Sequence, residues 1–374
     1  MFFRGSLLHG NDIQIEHVRA IDPLGADEVC VRLPEMNRRA DVTSLVGSLR
    51  DLLPDARGLA DLDMDDCLAA MRDVGLFLGS IKRHGHEPVG LVPEVGPLLV
   101  ELGNRTDLVP RDIVHHYCTW NPLGERQRMY TGDAQENHLQ NAVRIVFPHL
   151  RAALEMCHIL RDVEPADPKF AVLADALDRE LQPMVEAIKL VGEHVSPQFF
   201  ARTLRPYFED VEVDGRKYLG PAAAQVPLWL VDEAVWASDR GERNYLDFLD
   251  HSVPYSLPRW RELHTAWVGT SSLVTAVIDA YGDDRSTADR AAPTLVSSAR
   301  ALARVLRTML VFRGRHLTIA RQAYQEDLRL YPVGSGGASV DLLREIIVLT
   351  RQNSQVTKEM SGPDTRARAA GAAT

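Results

Sequence analysis

Apolar residues recur at the three-to-four-residue spacing of an amphipathic helix through most of the chain, and the strict alternation of a half-buried strand is scarce. The pattern predicts a mainly α fold. Over residues 62–83, Leu68, Met71, Gly75 and Leu78 trace one stripe. Over 141–161, Val143, Val146, Phe147, Leu150 and Leu154 trace another, which Pro148 is expected to kink or delay. A third, over 168–193, carries Phe170, Leu173, Leu177, Leu181, Met184, Ile188 and Val191 around the interior Pro183. Ser196-Pro197 offers an N-cap and a first-turn proline to the segment QFFARTLRPYF.

Further helices are expected over 228–238, 244–251, 258–280, 293–326 and 339–360, the last preceded by the glycine-rich loop VGSGG. The one hairpin signal is VEVDGRKYL, where Asp214-Gly215 suits a type I′ turn between two short strands. No internal repeat is evident. The tail SGPDTRARAAGAAT is small and polar and is expected to be disordered.

Composition narrows the classes. With 374 residues, 45% of them hydrophobic, the chain can bury a full core as one large domain or two modest ones. A formal charge of −10 argues against a nucleic-acid partner, which needs clustered surplus cations. The apolar start MFF is broken by Arg4, Gly5 and His9 before it can form a signal-peptide core, and no later run approaches membrane-spanning length. Cys30, Cys67, Cys118 and Cys157 stand singly, without CxxC or CxxH spacing. They read as reduced, mostly buried thiols of a cytoplasmic protein.

The most informative segment is ALARVLRTMLVFRGRHLTIARQAYQED. At about 100° per residue, Met309, Phe312, Ile319, Ala320 and Ala323 fall within about 60° of His316, so the imidazole sits in the middle of the buried face. A core histidine bonded to a carbonyl is the commoner reason for such a placement. The sharper alternative is axial ligation of a b-type haem, which needs a neutral imidazole in an apolar slot. Arg313 flanks the same face, where a guanidinium suits a haem propionate; Arg315 points to the other side. Tyr324, about 80° away, can bring a phenol to the rim, although buried tyrosines are common in packing alone.

The loop Gly334-Ser335-Gly336-Gly337 lacks the P-loop lysine and the GxGxxG spacing, so it reads as a lid rather than a nucleotide site, or else as a plain linker. Arg205 sits among Phe199, Phe200, Leu204, Tyr207 and Phe208, where a cation calls for an anion. A substrate carboxylate and a structural salt bridge fit that spacing equally. His84 and His86, and the adjacent His115 and His116, lack the helical i, i+4 spacing of a zinc pair; neither HExxH nor GxSxG occurs, which removes zinc-hydrolase and serine-hydrolase readings.

Several long segments, AMRDVGLFLGSIKRHGHEP, WNP at 120–122, VSPQFFARTLRPYF, YLGPAAAQVPLWL, and FRGRHLTIARQAY followed by VGSGG, resemble the monodechloroaminopyrrolnitrin synthase family over nearly the whole chain. They resemble indoleamine 2,3-dioxygenase more distantly. The resemblance implies that His316 is the proximal ligand of haem b, that Arg313 helps anchor the haem, and that Arg205 receives a substrate carboxylate. It also implies that Tyr324 and Ser335 are active-site residues, with Gly336 and Gly337 beside the substrate. The distal-pocket residues of the dioxygenase do not carry over to HLQNAVRIVF; His138 and Asn141 are the residues there that could border the distal side.

The expected architecture is an indoleamine 2,3-dioxygenase-like helical bundle: a small helical N-terminal domain (1–130), a large haem-binding domain (131–362) and a disordered tail (363–374). The expected activity is oxidation of L-tryptophan or a halotryptophan, with dioxygen as co-substrate, an external electron donor, and ring rearrangement to an aminophenylpyrrole. The alternatives are a simpler indole mono- or dioxygenase, a haem or ligand carrier without turnover, and a haem-free helical scaffold. Fold alone does not choose among them.

Overall fold

Asp63 starts the helix that organises the N-terminal half. Its carboxylate accepts the Asp66 N–H while the Asp66 carboxylate accepts the Asp63 N–H, a capping box that fixes the start of α1 (Met64–Arg83). The computed structural model describes residues 12–282 and 293–360. Every residue of α1 from Cys67 to Ile81 is buried, so this helix is enclosed all round rather than along the one predicted stripe. Enclosure requires its charges to be matched. Arg72 pairs with Asp73 at 2.8 Å, and Arg128 pairs with the same Asp73 at 2.9 Å. It also requires glycine where other chains press closest. A Cβ on Gly75 would lie 2.3 Å from Asp112 Cγ, and one on Gly79 would lie 2.7 Å from the Tyr207 carbonyl oxygen.

Four longer helices build the rest of the bundle. They are α2 (Ala134–Leu160), α3 (Pro168–His194), α4 (Pro293–Ala323) and α5 (Val340–Met360). Helix α4 packs against α3 and α5, and α3 also packs against α2. Asp133 caps α2 by accepting the Gln135 N–H, so α2 begins before the predicted 141 and runs on through Pro148. Asp167 caps α3 in the same way through Lys169. The hairpin forms as predicted. Val211–Val213 pairs antiparallel with Arg216–Tyr218, and Asp214 and Gly215 both take positive φ, 50° and 71°.

Three of the predicted helices depart from simple helix. The predicted helix over 258–280 is two helices, Pro258–Trp267 and Leu273–Tyr281. Gly269 takes a left-handed φ of 70°, and the Ser272 hydroxyl caps the second helix by accepting the Thr275 N–H. QFFARTLRPYF is capped by Ser196 as predicted, but winds as a π turn (Phe199–Leu204) that tightens to a 3-10 turn (Arg205–Phe208), where Pro206 offers no N–H for an α-helical bond. The segment from Leu228 to Arg240 likewise contains a π turn, Glu233–Ala237. Such turns widen the backbone locally and swing side chains off the α-helical register.

Two apolar clusters result. One gathers α1 with residues such as Leu33, Leu49, Leu99 and Leu102, and also takes Phe199, Phe208 and Val211 from the later chain. The other joins α2, α3, α4 and α5 through residues such as Phe147, Leu177, Trp236 and Leu302. All four cysteines are free and buried, and burial pushes the Cys118 and Cys157 thiols up to about 12. No described helix is long and apolar enough to cross a membrane. The tail and the first eleven residues, to which the sequence analysis assigned disorder and the lack of a signal peptide, lie outside the described residues.

Candidate functional site

A cavity of about 300 Å³ lies between α2, α3, α4, α5 and the turn Leu228–Asp232. Its volume falls in the range of small-molecule sites. Apolar side chains make most of the wall, among them Val143, Val146, Leu150, Met184, Ile188 and Phe312. The polar side chains on it are few: Ser196, Trp229 with its unpartnered indole N–H, Asp232, Tyr245, Arg313, His316, Tyr324 and Ser335.

Helix α4 contributes the inner wall at helical spacing, with Phe312, Arg313, His316, Ile319, Ala320, Ala323 and Tyr324. His316 is half-buried and faces the cavity, next to the Phe312 ring at 5.9 Å. Among the described residues its ring has no hydrogen-bond partner. Burial, helped by the nearby Arg313 charge, pushes its pKa down to about 4, so the imidazole is neutral at physiological pH. A neutral imidazole with no protein partner, on an apolar wall, is the donor that an axial iron site requires.

Arg313 is buried and already engaged. It forms an ion pair with Asp232 and donates from Nη1 to Thr350 Oγ1 at 2.6 Å. Asp232 also accepts the Trp236 indole N–H at 2.9 Å and the Tyr245 hydroxyl. Burial opposes the Arg313 charge, but Asp232 outweighs it and raises the guanidinium pKa. Arg315 turns away from the cavity and donates to the Val185 carbonyl at 2.8 Å.

Tyr324 lines the cavity, and its hydroxyl is buried without a hydrogen-bond partner in the protein. Burial raises its pKa, opposed by the charge and the hydrogen-bonding approach of the Arg205 guanidinium, which lies beside it without completing a well-formed bond. Arg205 stands beside Tyr324 but not among the residues that line the cavity; it is 7% exposed, and its Nε and Nη1 have no hydrogen-bond partner among the described residues. Of the two fates that spacing left open for this cation, no structural salt bridge is formed among the described residues. The glycine-rich loop closes on itself: Gly334 N–H donates to the Ala338 carbonyl at 2.9 Å, and Gly337 N–H to the Gly334 carbonyl at 3.0 Å. Ser335 and Gly336 line the cavity, whereas Gly337 is exposed and serves the turn with a φ of 82°.

The remaining histidines lie elsewhere. His138 is exposed and stacks on His194 at 4.4 Å, and Asn141 bonds Asn137 and Arg144, so the cavity face of α2 is made by Leu139, Ala142, Val143 and Val146. His115 and His116 are fully buried in an aromatic cluster with Trp120. His84 is half-buried at the end of α1, and His86 is exposed. Sequence reasoning missed Asp232 and Tyr245. The signal for Asp232 was a lone acid in the apolar run PLWLVDEAVW, a place where a carboxylate needs a buried cation.

A family model described as monodechloroaminopyrrolnitrin synthase PrnB matches residues 15–369.

Proposed function

The chain belongs to the monodechloroaminopyrrolnitrin synthase family, which makes it an oxidative enzyme of pyrrolnitrin-type antibiotic biosynthesis, and from that premise we propose that it acts on L-tryptophan or a ring-halogenated tryptophan with haem b. In this reading His316 is the proximal iron ligand and the product is an aminophenylpyrrole. The observation that carries it is the neutral, partner-free imidazole on the wall of an apolar cavity.

The residues suit the cofactor. His316 offers iron a lone pair, the α2 and α3 side chains offer apolar faces, and Arg313 would steady a propionate by sharing its guanidinium with Asp232. Bound haem would supply the activation of dioxygen and the redox chemistry that side chains cannot. The chain's own residues bind and orient. Arg205 takes the substrate carboxylate on its free N–H groups, and Tyr324 and Ser335 orient the amino group. The apolar wall receives the indole and excludes water from it.

Mass spectrometry of products from a panel of tryptophans, with haem-loaded enzyme, dioxygen and reductant, tests the reading. An aminophenylpyrrole is expected. A product retaining the intact amino-acid side chain on an oxygenated indole would replace rearrangement with simple oxygenation.

A further inference from the structure

A buried guanidinium normally gives its N–H groups to a carboxylate, as Arg313 does to Asp232. Arg205 is compensated differently. Its Cζ lies 4.3 Å from the centroid of the Tyr331 ring, well inside cation–π range. A π face stabilises the charge from above the plane and uses none of the in-plane donors. Nε and Nη1 of Arg205 are buried without a hydrogen-bond partner among the described residues, and the Tyr324 hydroxyl lies beside the same guanidinium.

The ring is held in place at both ends. The Tyr331 hydroxyl donates to Glu209 Oε1, four residues beyond Arg205 on the same segment. Arg202 bonds the carbonyls of Asp327 and Leu328, tying the backbone just before Tyr331 to that segment as well. Glu209 is the acid nearest to Arg205 in sequence, and its carboxylate accepts the phenol rather than the guanidinium. Resting on the reading that Arg205 receives the substrate carboxylate, we propose that Tyr331, backed by Glu209, is a positioning residue. It holds the guanidinium over its ring and leaves Nε and Nη1 available to a carboxylate.

Equilibrium dialysis with the haem-loaded enzyme, comparing L-tryptophan with tryptamine, which lacks the carboxylate, reads this directly. Tyr331→Leu is expected to raise the Kd for L-tryptophan about tenfold and to leave that for tryptamine within about twofold. Tyr331→Phe keeps the ring but frees Glu209. It is expected to weaken L-tryptophan alone, with Glu209→Gln in the same chain restoring binding, and this pair decides the matter if the leucine variant does not fold. Equal weakening of both ligands, or unchanged L-tryptophan binding in the Tyr331 variants, would overturn the proposal. Arg205→Leu separates the two levels. If it abolishes the preference for L-tryptophan while the Tyr331 variants do not, only the positioning role fails. If it leaves the preference intact, the carboxylate reading fails and the positioning role falls with it.

Discussion

Arg313 pairs with Asp232 inside the wall that carries His316, one helical turn from the imidazole, with both partners almost sealed from solvent. The pair draws in Thr350 of α5, Trp236, and Tyr245 of the helix Arg243–Ser252. The stretch 232–245 and helix α5 thereby fix the rotation of α4, and with it the direction in which His316 points.

Asp232→Ala strands the Arg313 charge in the interior. The expected loss is about 3–5 kcal/mol of unfolding free energy, because breaking one side of a buried pair leaves an uncompensated ion. Urea unfolding measures it, and Asp232→Ala with Arg313→Met should recover most of the loss. A single-variant loss below about 1 kcal/mol would mean that water reaches Arg313 and the pair does not hold the wall.

Tyr324→Phe separates architecture from chemistry. The hydroxyl is buried with no partner, so removing it should shift stability by less than about 0.5 kcal/mol, or raise it. If the phenol meets the substrate's charged amino group, kcat/KM for tryptophan falls about tenfold or more. Parallel losses in stability and activity would make the hydroxyl structural, and no loss in either would remove it from the site.

Acid should destabilise the fold through His115. Burial pushes its pKa down to about 3, whereas an unfolded histidine titrates near 6.5. Between those values the unfolded chain binds a proton that the folded ring refuses, so the stabilisation is complete above about pH 6.5 and declines as pH falls toward 3. His115→Phe keeps an aromatic ring against Phe147 and Trp260 and removes the titration. Its unfolding free energy should fall less steeply between pH 6.5 and 4.5, by up to about 1.4 kcal/mol per pH unit. Identical slopes would assign the acid sensitivity elsewhere, with His116 the next buried imidazole.

The long helices were legible because burial along them follows the 3.6-residue period, and caps such as Ser196 and turns such as Asp214-Gly215 carry local signatures. The π turns at Phe199–Leu204 and Glu233–Ala237 were not, because an extra residue per turn is a tertiary accommodation with no composition of its own. His316 could be placed on an inward face from spacing, but only the folded chain shows that no protein group bonds its ring. Arg205 is the sharpest case. Its neighbours predicted burial, yet its companion in the fold is the ring of Tyr331, 126 residues later, which no local pattern announces. The Arg313–Asp232 pair spans 81 residues and was invisible for the same reason.

The most direct test is haem titration of the purified protein and of His316→Ala, followed by the Soret band, with far-ultraviolet circular dichroism as the control for fold. Wild-type protein should bind haem tightly with the spectrum of an imidazole-ligated iron, and the variant should keep its helicity while losing that spectrum and stable haem retention. A variant that binds haem with unchanged affinity and an unchanged spectrum would contradict the assignment of His316 as the iron ligand.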